Sequence, residues 1–335
     1  MKKVNFNYLV IATLIVATVF TSCKKNNNDD ENNDNGNNNN NNDTTIVSIY
    51  DTAIYDVYVA GFVYNGMPCA AIWKNGVMQR FTDGMNGAAL AWSVYVLGDD
   101  VYVAGFDGRY AVLWKNGIVQ RLTDGTNSAS ARSVYVSGND VYVVGSEYDE
   151  YDNPVAKLWK NGVGQNLTDG TFANSVFVSG NDVYVAGGES IAKFWKNGIV
   201  QNLSDGTNYA SAMSVYISGN DVYVVGYDGN VAKLWKNGVE QNLSDGTNYA
   251  VAKSVFVSGS DVYVAVIEND IAKLWKNGIS QNLANGTQAW SVYVLDNDVY
   301  VAGCDDSGAV VWKNGVAQRL TDGSQAFSVF VVKKQ

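Results

Sequence analysis

The side chains with the widest chemical scope in this 335-residue chain stand immediately before a repeated Ser-Val dipeptide: Trp92, Arg132, Asn174, Met213, Lys253, Trp290 and Phe327. Three aromatics, a thioether, an amide and two cations at one repeating position suit ligand contact more than bond-breaking. The C–H faces of a sugar ring stack on an indole or phenyl ring, while its hydroxyls take hydrogen bonds from amide and cationic donors. Phe172, Tyr209 and Tyr249 stand close by in sequence and add apolar platforms, completing a set of ten candidate ligand-binding residues. The plainer alternative is that these side chains plug a channel. The set contains no carboxylate, whereas a glycoside hydrolase needs a convergent acid and base pair. No histidine occurs anywhere, which removes the commonest general base and the commonest zinc ligand together.

Carboxylates occur elsewhere in two patterns. One begins an Asp-Gly-Thr link or a variant of it, at Asp83, Asp124, Asp169, Asp205, Asp245 and Asp322, with Asn285 once replacing the acid. Asp-Gly makes a turn, and one carboxylate per repeat falls short of the six to eight oxygens of a calcium site. The other lies in loops of varying length, including Asp107, Glu189, Tyr227-Asp228, Glu268 and Asp270, and forms an acidic rim that attracts cations or simply stays solvated. Neither a metal nor a cofactor is expected, and the chain reads as a non-enzyme. With 23 basic and 33 acidic side chains, a formal charge of −10 argues against nucleic acid, whose binding draws on Lys and Arg at phosphates.

The elements that position these residues follow from the tetrapeptide Trp-Lys-Asn-Gly. It begins at Trp73, Trp114, Trp159, Trp195, Trp235, Trp275 and Trp312, at spacings of 41, 45, 36, 40, 40 and 37. The unit from Ser214 to Leu243 resolves into four short runs alternating apolar and polar residues. Ser-Gly-Asn-Asp and Lys-Asn-Gly supply tight hairpin turns, Asn-Gly through the positive φ such turns require. A period near 40 residues with four antiparallel strands per unit predicts an all-β, seven-bladed β-propeller; a β-solenoid is the alternative. Each repeated Trp is expected to pack between blades, and the turn lysines to keep their face soluble. The first-to-second and third-to-fourth turns share one face, and the variable second-to-third loops share the other with the blade links. The Ser-Val-aromatic strand recurs once more at Ser328, after the seventh Trp-Lys-Asn-Gly. Ser328 to Val332 is therefore expected to close the ring as the innermost strand of blade one, since the N-terminal candidate, Ile46 to Tyr50, is a poor copy.

Over roughly residues 46 to 332, within an expected propeller domain of 46–335, the pattern resembles the general kelch and WD-type propeller class in architecture. The kelch Gly-Gly pair occurs once, at Gly187-Gly188, and Lys stands where WD repeats have Asp, so the resemblance implies no function. The aspartate boxes of sialidases are missing as well.

At the N-terminus, Lys2 and Lys3 precede an apolar run from about Tyr8 to Phe20, too short to span a bilayer, and Phe20-Thr21-Ser22 precedes Cys23. Apolar, small, small, cysteine resembles the lipobox of bacterial lipoproteins. The resemblance implies a signal peptide over 1–22, lipidation (palmitate) of Cys23, and a membrane partner reached through the lipid. Residues 23–45, almost entirely Asn, Asp, Glu and Lys, cannot form a core and are expected to be a disordered tether, with a reach of about 25 Å for some 20 flexible residues. An acidic stretch after the lipidated cysteine looks like the signals that send some lipoproteins to the exposed face of the bacterial outer membrane; the periplasmic face is the alternative. A surface monomer binding glycan, or else a protein, is the expected partner chemistry. Cys69 reads as a small buried hydrophobe, and a Cys69–Cys304 disulfide across the junction of blades seven and one is conceivable.

Overall fold

The computed structural model describes residues 54–85 and 87–334. The expected signal peptide, Cys23, the tether and Ile46 to Tyr50 lie outside the described residues.

The described residues form seven four-stranded antiparallel sheets. Blade five is the simplest, with strands Ala210–Ser218, Asp221–Asp228, Val231–Lys236 and Val239–Asn242 in sequence order from the axis outward. Blade one takes its innermost strand from the other end of the chain. Gly323–Lys333 pairs antiparallel with Tyr55–Asn65, followed by Met67–Lys74 and Val77–Arg80, so the C-terminal strand closes the ring.

A single hydroxyl per blade ties neighbouring innermost strands together. The Ser Oγ of each Ser-Val accepts the valine N–H of the next blade at 3.2–3.3 Å, through Ser93, Ser133, Ser175, Ser214, Ser254, Ser291 and Ser328, and the last reaches back to Val94. That N–H faces a neighbouring blade, where a lost partner leaves it orphaned in a dry interface. Serine therefore recurs because a hydroxyl is the group that satisfies it.

The aromatic residue two places later forms a second ring. Tyr95, Tyr135, Phe177, Tyr216, Phe256, Tyr293 and Phe330 meet in a closed belt with consecutive centroids 4.8–4.9 Å apart. Burial raises the pKa of the four tyrosines in it, Tyr293 to about 12.

Farther out, all seven repeated tryptophans are buried. Trp73 packs on Tyr300, Ala302, Ala309 and Val311 of blade seven. Its ring N–H donates to the carbonyl of Thr321 in the preceding link, as Trp195 does to Thr168. Each buried large side chain contributes about 2–3 kcal/mol, here to holding one wedge against the next.

The turn lysines are more than solubilising charges. In every Lys-Asn-Gly the asparagine takes φ between 47° and 52°. The amide of Asn237, for example, accepts from the N–H of Val222 at 2.9 Å and donates to Asp221 at 2.8 Å, while Lys236 pairs with the same carboxylate at 2.7 Å. Hydrogen bonds from Lys236 and then Asn237 hold the Asp221 carboxyl below its ordinary range. The arrangement recurs in all seven blades and fastens the two hairpin turns to each other on one face. Exposed ion pairs add little stability individually, so the gain is mainly in fixed turn geometry.

Ending the chain at Gln325 removes most of the closing strand and bares the edge of Tyr55–Asn65. Cooperative thermal unfolding, followed by circular dichroism, is expected to be lost; an unchanged melting temperature would refute the closure as a structural requirement.

Candidate functional site

The residue before each Ser-Val is the extra residue of a β-bulge. In blade five Ala212 pairs with Gly226 and Ser214 with Val225, which leaves Met213 without an opposite partner. The same shift frees Trp92, Arg132, Asn174, Lys253 and Trp290, and Phe327 falls between Ala326 and Ser328 in the closing strand. Bulges re-aim side chains and relax pairing constraints, so this position accepts any residue. The facing strand is constrained in return. A Cβ on Gly226 would lie 2.0 Å from the carbonyl oxygen of Ser211, and five other blades carry glycine there for the same reason. Blade six has Val266 instead, which nothing in the structure explains.

The seven bulge residues do not ring an open mouth. Trp92, Phe327 and Trp290, from blades two, one and seven, close on one another with centroids 4.2 and 5.4 Å apart, over Phe62 and Leu90. Arg132 leans over the Trp92 ring at 4.9 Å and Lys253 over the Trp290 ring at 4.5 Å. Asn174 donates to the carbonyl of Ala212 at 2.9 Å and contacts Met213. Because three aromatics fill one side, the space opens over the other blades as a cavity of about 830 Å³.

Eight of the ten residues expected from sequence line this cavity: Arg132, Asn174, Met213, Lys253 and Trp290, with Phe172, Tyr209 and Tyr249. Trp92 and Phe327 do not; they form its apolar stopper. The outer wall is a run of three tyrosines. Tyr209 and Tyr227 stack at 6.3 Å, Tyr249 meets Tyr227 edge-on at 6.2 Å, and the Tyr209 hydroxyl donates to Glu189. Tyr209 and Tyr249 are half exposed, at 50% and 57%, as ligand platforms must be. Blade links and second-to-third loops meet on this face, as in the bond from the Gly229 N–H to the Tyr209 carbonyl.

Sequence reasoning missed Ser211, Val251 and Gln288 in the lining. All three stand two residues before a bulge residue, the place Phe172 holds in blade four, and the two-residue side-chain period of a strand is the signal for them. The aromatic belt, three residues beyond each bulge and so about 10 Å deeper, was visible only as a strand marker. The Cys69–Cys304 disulfide does not form, because Cys69 is a free, buried thiol.

Burial pushes the Lys253 ammonium down to about 8, and the charge of Arg132 pushes it the same way. Burial lowers Arg132 as well. No ion pair to a carboxylate engages either cation among the described residues.

No protein-family model matches the chain, and no curated protein matches it. Among solved structures it is similar to the computationally designed Ika8 protein, at 19% identity over 83% of this chain and 93% of that one, with a TM-score of 0.48. It is also similar to a chain of a nidogen/laminin complex, at 7% identity over 71% of this chain and 97% of that one, with a TM-score of 0.45. The class of the molecule is that of a seven-bladed β-propeller, with the cavity of about 830 Å³ on its variable-loop face.

Lys253 titrates early in the fold and near 10.4 when unfolded. Between these values the unfolded chain binds more protons, so stability rises with pH through that window. Lys253→Met is expected to stabilise the protein at pH 7 by about 1–3 kcal/mol, with the gain shrinking toward pH 10. Thermal melts of both proteins from pH 6.5 to 9.5 check this, and parallel curves would contradict it.

Proposed function

We propose that this protein is a non-catalytic binding module that takes a glycan into the variable-face cavity. One observation carries the reading: a single cavity of about 830 Å³ combines a half-exposed tyrosine wall and Trp290 with amide, hydroxyl and cationic groups. That is the combination a sugar needs, with stacking surface for its C–H faces and donors and acceptors for its hydroxyls. A propeller is consistent with a binding or scaffold module.

The reading extends to a lipid anchor at Cys23 in the bacterial outer membrane, exposed at the cell surface. The first described residue, Ile54, accepts the N–H of Lys334 beside the Asp56 turn. The chain therefore joins the propeller on the lysine-turn face, opposite the cavity, and a tether there leaves the cavity directed away from the membrane.

One observation favours protein adhesion as a second reading. Val77, Ile118, Val163, Ile199, Val239, Ile279 and Val316, one per outermost strand, are all 60–77% exposed, apolar area that a protein partner on the outer strands would bury.

On a glycan array the full chain is expected to give a hit that is lost in Trp290→Ala and Tyr249→Ala. Trp92→Ala is expected to lower the melting temperature more than the affinity. Silence on the array with retained pulldown of a protein partner would turn the conclusion to adhesion, and turnover of a glycan panel would overturn the non-catalytic reading. Metabolic palmitate labelling that persists in Cys23→Ala would sink the anchor, and full protection from protease on intact cells would sink surface exposure.

A further inference from the structure

We infer that the ligand of this cavity carries an anionic group, a carboxylate or a sulfate ester, that bridges Arg132 and Lys253. The inference rests on the glycan-binding reading and narrows it to acidic glycans.

Carboxylates are plentiful in a chain with 33 acidic side chains against 23 basic ones, and each of the seven turn lysines holds one at 2.7–2.8 Å. Among the described residues, Arg132 and Lys253 hold none. Both are partly buried, they stand in blades three and six around the same mouth, and each is steadied by a tryptophan face rather than by a counter-ion. The Arg132 Nε is shielded from solvent and donates to nothing among the described residues, and neither does the Nε1 of Trp290 beside Lys253.

Two like charges in a partly desolvated mouth disfavour each other, and unused donors there add to the cost. The tryptophan faces offset it in part and no carboxylate among the described residues does so, whereas an anion entering from solvent removes both penalties through charge-assisted hydrogen bonds. The cavity's own acids leave room for that anion. Glu189 and Asp270 lie in second-to-third loops, outside the innermost strands, and Glu189 already accepts the Tyr209 hydroxyl. The inner wall is thus cationic and the outer wall aromatic, which matches a saccharide whose acid group points to the axis while its ring lies on the tyrosines.

The test titrates the purified full chain, by calorimetry, with oligogalacturonate and its methyl ester, and with a sulfated galactan oligosaccharide and its desulfated form. At least one acidic form is expected to bind, with its neutral counterpart about tenfold weaker or worse, and the form that binds distinguishes carboxylate from sulfate. Arg132→Gln and Lys253→Met each should lower that affinity about 10- to 100-fold, and the double variant should bind acidic and neutral forms alike. Inorganic sulfate, against chloride at equal ionic strength, should raise the melting temperature of the wild type more than that of the double variant, a readout that needs no sugar. Equal affinity for acidic and neutral forms, or undiminished binding by both single variants, overturns the inference and leaves the glycan reading standing. Silence of all four saccharides with equal sulfate shifts overturns the anion site. The same silence with a sulfate shift lost in the double variant supports the anion site and removes the glycan.

Discussion

The architecture depends on the hydroxyl of one serine per blade. A propeller brings its innermost strands close around an axis, and there the side of each strand facing the next blade cannot be satisfied by its own sheet. Seven Ser Oγ atoms accept seven valine N–H groups in an unbroken circuit from Ser93 to Ser328. The aromatic belt and the buried tryptophans fill the space that this spacing defines. Packing of this kind tolerates changes of volume poorly, so the repeat is uniform wherever blades touch.

Along the innermost strands, side chains vary before the serine, where the circuit does not constrain them. The residue before each serine is a bulge residue with no partner across the ladder, and the facing glycine makes room for the displaced backbone. Rigidity at Ser-Val and freedom one residue earlier are thus two sides of the same geometry. Unequal filling of the seven bulges then breaks the symmetry: aromatics from blades seven, one and two close one side, and the cavity opens over the other.

Seven blades, the closing strand and the two faces were legible in the sequence because each follows from a local, repeated signal. Trp-Lys-Asn-Gly marks a hairpin turn whose φ only Asn and Gly adopt readily, and the seventh Ser-Val-aromatic segment, which follows the last Trp-Lys-Asn-Gly, had no blade other than the first to join. Five cavity residues, Arg132, Asn174, Met213, Lys253 and Trp290, were legible for the same reason, since they share one register position, and Phe172, Tyr209 and Tyr249 were legible as aromatics close by in sequence. What the sequence could not convey was non-local. That Trp92 and Phe327 pack on each other, rather than standing free, depends on side chains more than 200 positions apart meeting across the ring closure. The pairing of each turn lysine with an aspartate of the neighbouring turn likewise needs the two hairpins in place. Phe172, Ser211, Val251 and Gln288 share one register, but only Phe172 stood out by residue type.

The closing strand also orders events in time. Tyr55–Asn65 stands before the other six blades in the chain and its partner, Gly323–Lys333, after them, so blade one lacks its axial strand until those six blades have been synthesised. Contacts between such distant segments form late because the loop between them must close first. Before that moment the partial array exposes a bare strand edge, a template for unwanted pairing. Gly323–Lys333 is the latch, and assembly of the ring must await its arrival.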